Sequence, residues 1–327
     1  MKKYLLGLIL GAISLCAEPF SFIAMGDTPY STKEELRLKA KVIGAIQEYN
    51  PPFLAFYGDL KGGGEPCTDE LLKARHEMFM GILPDRVFYT PGDNEWTDCD
   101  RSFLSIQFSE LERLSYLKEL FYSNPLNLPD SWKYETQPNY VENARWMKGG
   151  IMFVTLHMVS TNNGRQEILK DDIELALSMV DARDQANRVW MEQSFKSALK
   201  QNAKALVIIT QADVTAGDGA GLCTGDNRMQ CDAFKRFRSE IRYEAKGFAN
   251  RGEEPRPVLL VHGDTNPYCM DKKFGGKKAP NLWRLNSYGD FTSPADATVI
   301  TVDVDNKKNP FKAKTLIGNE KPAMVCK

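Results

Sequence analysis

The chain has 327 residues, 43% of them hydrophobic and 26% charged, with a formal net charge of -1. That composition supports one large core or two moderate ones. A near-neutral chain carries no broad field for a polyanion, which argues against binding to duplex nucleic acid or to an anionic membrane surface.

Residues 1–17 read as an export leader. Lys2 and Lys3 precede an apolar stretch from Tyr4 to Ala17 that is too short to span a bilayer, and polar Glu18 follows. Cleavage there would leave one domain over 18–327, free of stable membrane insertion. It would also leave six cysteines, Cys67, Cys99, Cys223, Cys231, Cys269 and Cys326, an even number that suggests disulfides in a periplasmic or secreted protein. Cys223 and Cys231 bracket a short polar loop and are the easiest pair to close.

In chain order, apolar runs predict strands over Phe20–Met25, Phe53–Tyr57, Arg86–Thr90, Ile151–His157, Ala205–Thr210 and Val258–Val261. Ser31 is placed as the N-cap of a helix reaching Tyr49. Further helical patterns cover Asp69–Leu83, Ser102–Leu120, Arg183–Gln201 and Arg228–Asn250, with Ser160–Arg183 expected as a polar loop. Ala297–Val304 and Phe311–Ile317 read as a closing strand pair. Strands alternating with helices indicate an α/β architecture.

Four of these strands end in the same dipeptide: Gly26-Asp27, Gly58-Asp59, Gly92-Asp93 and Gly263-Asp264. Gly permits a sharp exit from the sheet, and the Asp projects a short carboxylate beyond the strand's C-terminal end, where α/β sheets bind ligands. A lone Gly-Asp is usually only a turn. Four gathered at one sheet edge would repel unless a cation neutralised them. Cys67 and Cys99 each follow one of these turns by a few residues and could tie two site loops together.

The order of these motifs resembles the calcineurin-like metallophosphoesterase family, which includes purple acid phosphatases. The matching blocks are Gly26-Asp27-Thr28-Pro29-Tyr30, Gly58-Asp59-Leu60, Pro91-Gly92-Asp93-Asn94-Glu95, Val207–Asp213 and Gly263-Asp264-Thr265-Asn266. The resemblance implies a four-layer α-β-β-α sandwich and a site holding one or two divalent metals. It places Asp27, Asp59, Asp93, Gln211, Asp264 and Asn266 as metal ligands, with Asp59 in the bridging position. Aligning Pro91-Gly92 puts Asn94 where the family has its catalytic His; a shift by one residue would make Asn94 the ligand and Glu95 its neighbour. Tyr30 stands near the tyrosine of the purple acid phosphatase form.

Every family histidine is replaced here, mostly by an oxygen donor. An all-oxygen set suits Mg2+, Mn2+ or Ca2+ better than Zn2+ or iron. Of the three histidines, His76 falls on a helical pattern, while His157 and His262 end strands and could face the site. General acid work would then fall to Glu95, His262 or water. Lys61, Lys272 and Lys273 are candidate phosphate contacts. The expected function is metal-dependent hydrolysis of a small phosphorylated substrate by a monomer. The alternative is an inactive descendant that binds a ligand or partner. No GxSxG or GxxxxGK(S/T) motif occurs, and Asp27-Thr28-Pro29 lacks the second Asp of a DxD pair.

Overall fold

The computed structural model describes residues 18–326 except Asp218, so the expected leader lies outside the described residues. Two mixed sheets form the centre. The first contains β1 (Phe20–Met25), β2 (Leu54–Phe56), β3 (Val87–Tyr89), β11 (Thr298–Val302) and β12 (Phe311–Thr315), in the order β12-β11-β1-β2-β3. The second contains β4 (Glu135–Gln137), β5 (Tyr140–Lys148), β6 (Ile151–Thr155), β7 (Ala205–Ile209), β8 (Val258–His262), β9 (Cys269–Asp271) and β10 (Leu282–Asn286), in the order β4-β5-β6-β7-β8-β10-β9.

Strand alternation divides the core. Phe22, Ala24 and Ala55 point inward to meet Phe153, Val207, Ile209, Leu259 and Val261 from the other sheet. The intervening Ile23, Met25, Leu54 and Phe56 point outward against helical residues such as Val42, Ile46, Leu72, Phe79 and Leu117. On the far side Val154, Ile208 and Leu260 pack under Trp190, Phe195, Phe237 and Ile241. Apolar runs without alternation are what strands covered on both faces require. The result is the expected four-layer α-β-β-α sandwich.

The eight expected strands are present with ends trimmed or extended by one or two residues, whereas β4, β5, β9 and β10 are not among those expected. The helices differ more. The first runs from Thr32 to Tyr49 and is interrupted by a π-turn over Leu38–Val42. Another begins at Glu110, capped by Ser109, so the stretch from Ser102 stays outside it. The largest correction is Ser160–Arg183. Its second half is the start of a 28-residue helix, Ile173–Lys200, whose first turn is capped by the Asp172 side chain accepting from Leu175 N–H at 2.8 Å. The last helix is Lys235–Gly247, shorter than its pattern suggested.

Three disulfides join Cys67 to Cys99, Cys223 to Cys231 and Cys269 to Cys326. Among the described residues no helix is long and apolar enough to cross a membrane.

Candidate metal centre

The parallel strands β1, β2 and β3, and β7, β8 and β10 of the facing sheet, run in register with their neighbours, so the turns that follow them gather at one end of the sandwich. Carboxylate oxygens of Asp59, Asp93 and Asp264 lie within 4.8 Å of one another. Asp27 stands just outside this triad. Its Oδ2 accepts the backbone N–H of Asp264 at 3.0 Å, which locks the first turn to the last.

The glycines serve mainly as clearance. A Cβ at Gly263 would lie 1.8 Å from Asp27 Oδ2, and one at Gly92 would lie 2.0 Å from Asp59 Oδ1. The special backbone falls on the acids themselves: Asp27, Asp59 and Asp264 have φ of 50°, 54° and 63°. Asp tolerates this left-handed region better than most residues. Only Gly58, with φ 83°, needs glycine for its own conformation as well as for close approach.

Neutral donors orient the acids. Tyr30 donates its hydroxyl to Asp59 Oδ2 at 2.6 Å, and the Asn94 amide donates to the same oxygen at 3.0 Å. Gln211 Nε2 donates to Asp93 Oδ1 at 2.9 Å, and the Ser160 hydroxyl donates to Asp93 Oδ2. The Ser160 N–H in turn donates to Gln211 Oε1 at 3.1 Å. Burial raises the Asp59 and Asp264 carboxyls well above the usual range, and repulsion from Asp93 adds to it. Asp27 is raised for the same first reason. Such a set is poorly stable as bare anions and well matched to a hard cation, because every donor is an oxygen.

Several expected residues lie elsewhere. Glu95 is fully buried beneath the triad. Its Oε1 accepts from Gly92 N–H at 2.7 Å, Tyr89 hydroxyl at 2.9 Å and Asp59 N–H at 3.2 Å. It therefore ties the β2 and β3 turns together and cannot meet a substrate; burial lifts its pKa to about 7. His262 shares the outward side of β8 with Leu260. Its Nδ1 lies 2.9 Å from Gly263 O and its Nε2 lies 3.7 Å from Asp213 Oδ1. The strand's alternation thus points the ring away from the triad.

Asn266 is also apart. It is exposed, and its amide is spent on a neighbouring loop, donating to the Asp290 carbonyl at 2.7 Å and accepting from Thr292 at 2.9 Å. His157 is buried edge-on against Trp96 and its Nδ1 lies 3.1 Å from Glu142 Oε1. His76 packs edge-on against Phe121. Lys61 is fully buried with its ammonium on the carbonyls of Gly62 and Glu65 at 3.1 and 2.8 Å. Lys272 and Lys273 are exposed, and Lys272 sits over the Trp283 ring.

Two features of the site escape a reading by strand endings. Ser160 is delivered by a left-handed turn in which Thr161, Asn162, Asn163 and Gly164 have φ of 54°, 54°, 62° and 75°. Tertiary bonds hold that turn: Asn162 Nδ2 donates to Cys231 O at 2.7 Å, and Arg183 donates to Asn163 O at 2.8 Å. The second is Gly289-Asp290, a further Gly-Asp turn following β10. A Cβ at Gly289 would lie 3.1 Å from Asp27 Cβ, so this loop closes the rim of the site. The Gly-Asp signal is there in the sequence, but the strand before it, Leu282–Asn286, carries Arg284 and Asn286 and does not read as an apolar run.

No protein-family model matches the chain, and no curated protein matches it in sequence. Several solved structures are similar in overall course, three of which follow. PhoD shares 12% identity, covering 93% of this chain and 67% of that one, with a TM-score of 0.49. The purple acid phosphatase PPD1 from yellow lupin (Lupinus luteus) seeds shares 8%, covering 94% and 53%, with a TM-score of 0.48. GAP50, the anchor in the inner membrane complex of Plasmodium, shares 11%, covering 95% and 90%, with a TM-score of 0.42. This chain spans about half the length of the lupin protein.

Proposed function

We propose that this protein is an exported, metal-dependent hydrolase of phosphoric esters. The observation that carries the reading is the convergence of Asp59, Asp93 and Asp264 within 4.8 Å at the end of the sheets. Like charges so close favour a bound cation over three bare carboxylates. A divalent cation held there would supply charge for phosphoryl oxygens and increased acidity for water.

The chain's own residues divide the remaining work. Asp59, Asp93 and Asp264 hold the cation, with Asp27 and Gln211 at its margin. Ser160 and Gln211 fix the direction of the Asp93 carboxylate, and Tyr30 and Asn94 fix that of Asp59. Glu95 is a positioning residue for the two turns it joins. Because Glu95, His157 and His262 are fully buried, we assign proton donation to the leaving group to water. Oxygen donors favour Mg2+, Mn2+ or Ca2+ over Zn2+ or iron. The three disulfides support export, and we read residues 18–327 as a single catalytic domain.

The test is to strip the purified protein of metal, reload it with each of these ions, and assay generic mono- and diesters. Activity with at least one oxygen-preferring ion, lost with its metal content in Asp59→Asn, is the expected result. Metal bound stoichiometrically without turnover would instead favour a ligand-binding role. Metal content in Asp59→Asn equal to wild type would end the reading of the triad.

A further inference from the structure

Beside the carboxylates stands a ring whose position the core does not require. Phe291 is 77% exposed, and it and Asp290 both take positive φ, 58° and 41°. Left-handed backbone is unfavourable at a bulky residue and persists only where its surroundings over-determine it. Leaving a phenyl ring in water forgoes a further favourable burial.

The surroundings do over-determine it. Asn266 donates to the Asp290 carbonyl at 2.7 Å and to its carboxylate at 3.0 Å. The Thr292 hydroxyl closes the clasp on Asn266 Oδ1 at 2.9 Å, and Thr292 N–H donates to Gly289 O at 3.0 Å. Gly289 packs against Asp27. The clasp thus holds Phe291 at the rim, its ring centroid 4.9 Å from that of Tyr30, tilted by 56°. The Tyr30 hydroxyl is the one bonded to Asp59. A fixed, solvent-facing ring therefore stands one side chain from the triad.

We propose that Phe291 is a stacking platform for a planar aromatic group on the alcohol side of the substrate, so that the preferred phosphoesters are those of nucleosides or aryl alcohols. This rests on the reading of the triad as a phosphoester site. Stacking suits an exposed ring with a fixed orientation, because offset and edge arrangements add attraction beyond buried area. An aliphatic alcohol of similar size would gain much less there.

The test measures binding without chemistry, using phosphonates whose carbon–phosphorus bond resists hydrolysis. Mn2+-loaded protein is titrated calorimetrically with benzylphosphonate, butylphosphonate and inorganic phosphate. We expect benzylphosphonate to bind about tenfold more tightly than butylphosphonate, the scale of one aromatic stack. Phe291→Asn suits the positive φ and removes the ring; it should erase that ratio and leave Mn2+ and butylphosphonate affinities unchanged. Phe291→Tyr should restore the ratio. The methylenephosphonate analogues of adenosine monophosphate and ribose 5-phosphate form the nucleoside arm, and a larger ratio there than for benzyl over butyl assigns the platform to nucleosides. Equal wild-type affinities within both pairs, or Phe291→Asn weakening every phosphonate alike, would overturn the inference while leaving the phosphoester site intact. Binding of Mn2+ with no affinity for phosphate or any phosphonate would remove the phosphoester reading and the platform together.

Discussion

Replacing Asp264 with Asn should stabilise the metal-free protein and destroy its response to metal. Carboxylate oxygens of Asp59, Asp93 and Asp264 lie within 4.8 Å of one another. At that separation two unit charges repel by roughly 3 kcal/mol at an effective dielectric near 20. Burial first, and this repulsion second, hold the Asp59 and Asp264 carboxyls well above 3.8, so the fold sheds part of the repulsion by taking up protons. With a folded pKa raised above the unfolded one, the folded state binds more protons than the unfolded chain between those two values, so stability declines as pH rises through that window. Metal-free wild type should therefore melt at a higher temperature at pH 5 than at pH 8.

Asp264→Asn keeps the shape of the side chain and removes one charge, so we expect a gain of about 1–3 kcal/mol without metal, given the repulsion just estimated and its partial relief by protons. The pH slope should flatten with it. Mn2+ at 1,000 times its Kd reverses the order, since it adds about 4.1 kcal/mol to the form that binds it. Thermal melts of both proteins in chelator and in Mn2+, from pH 5 to 8, measure all of this. An Asp264→Asn protein less stable than wild type in chelator, or equally stabilised by Mn2+, would refute the reasoning.

Ser160→Ala removes the hydroxyl that orients Asp93 and should weaken Mn2+ binding about 10–100-fold in calorimetric titration, the usual scale for a residue behind a ligand; an unchanged affinity would sink that role. Glu110 is nearly fully buried beside Asp100 and Asp171, and burial first, then those charges, pushes its pKa to about 10 from 4.5. Its folded form keeps a proton that the unfolded chain loses, so stability falls as pH rises from 4.5 toward 10. Glu110→Gln should be more stable than wild type at pH 7 by roughly 3 kcal/mol, at 1.36 kcal/mol per pKa unit, and indistinguishable from it at pH 4, as read by urea denaturation. The opposite slope belongs to His157, which burial depresses from 6.5 to about 4. Its neutral folded form must be protonated on acidification, so stability is lost between pH 6.5 and 4, and His157→Gln should flatten that part of a denaturation-versus-pH curve; a curve unchanged in that window would contradict the assignment.

Much of the site was legible as local chemistry. Asp27, Asp59, Asp93 and Asp264 follow apolar runs that could only be buried strands, and a period-independent apolar run is readable without its neighbours. What could not be read was which side each nearby residue would face. His262 immediately precedes Gly263, yet it shares its side of β8 with Leu260 and so turns to Asp213. Glu95 is adjacent to Asn94, yet it lies beneath the loop while Asn94 reaches Asp59. Asn266 fits the family spacing, but the Asp290 loop claims its amide.

The sequence by itself determined eight of the twelve described strands, the acids that end four of them and the replacement of histidine by oxygen donors, because these depend on residue type and short spacing. The tertiary structure alone decided that three of the four acids form the triad while Asp27 braces it. It also decided that Ser160 reaches Asp93 from 67 residues away, and that Phe291 stands at the rim. Those outcomes depend on how two sheets face each other and how strained turns are held by distant partners. No local pattern carries that information, since the bonds that hold a left-handed turn in place come from other parts of the chain.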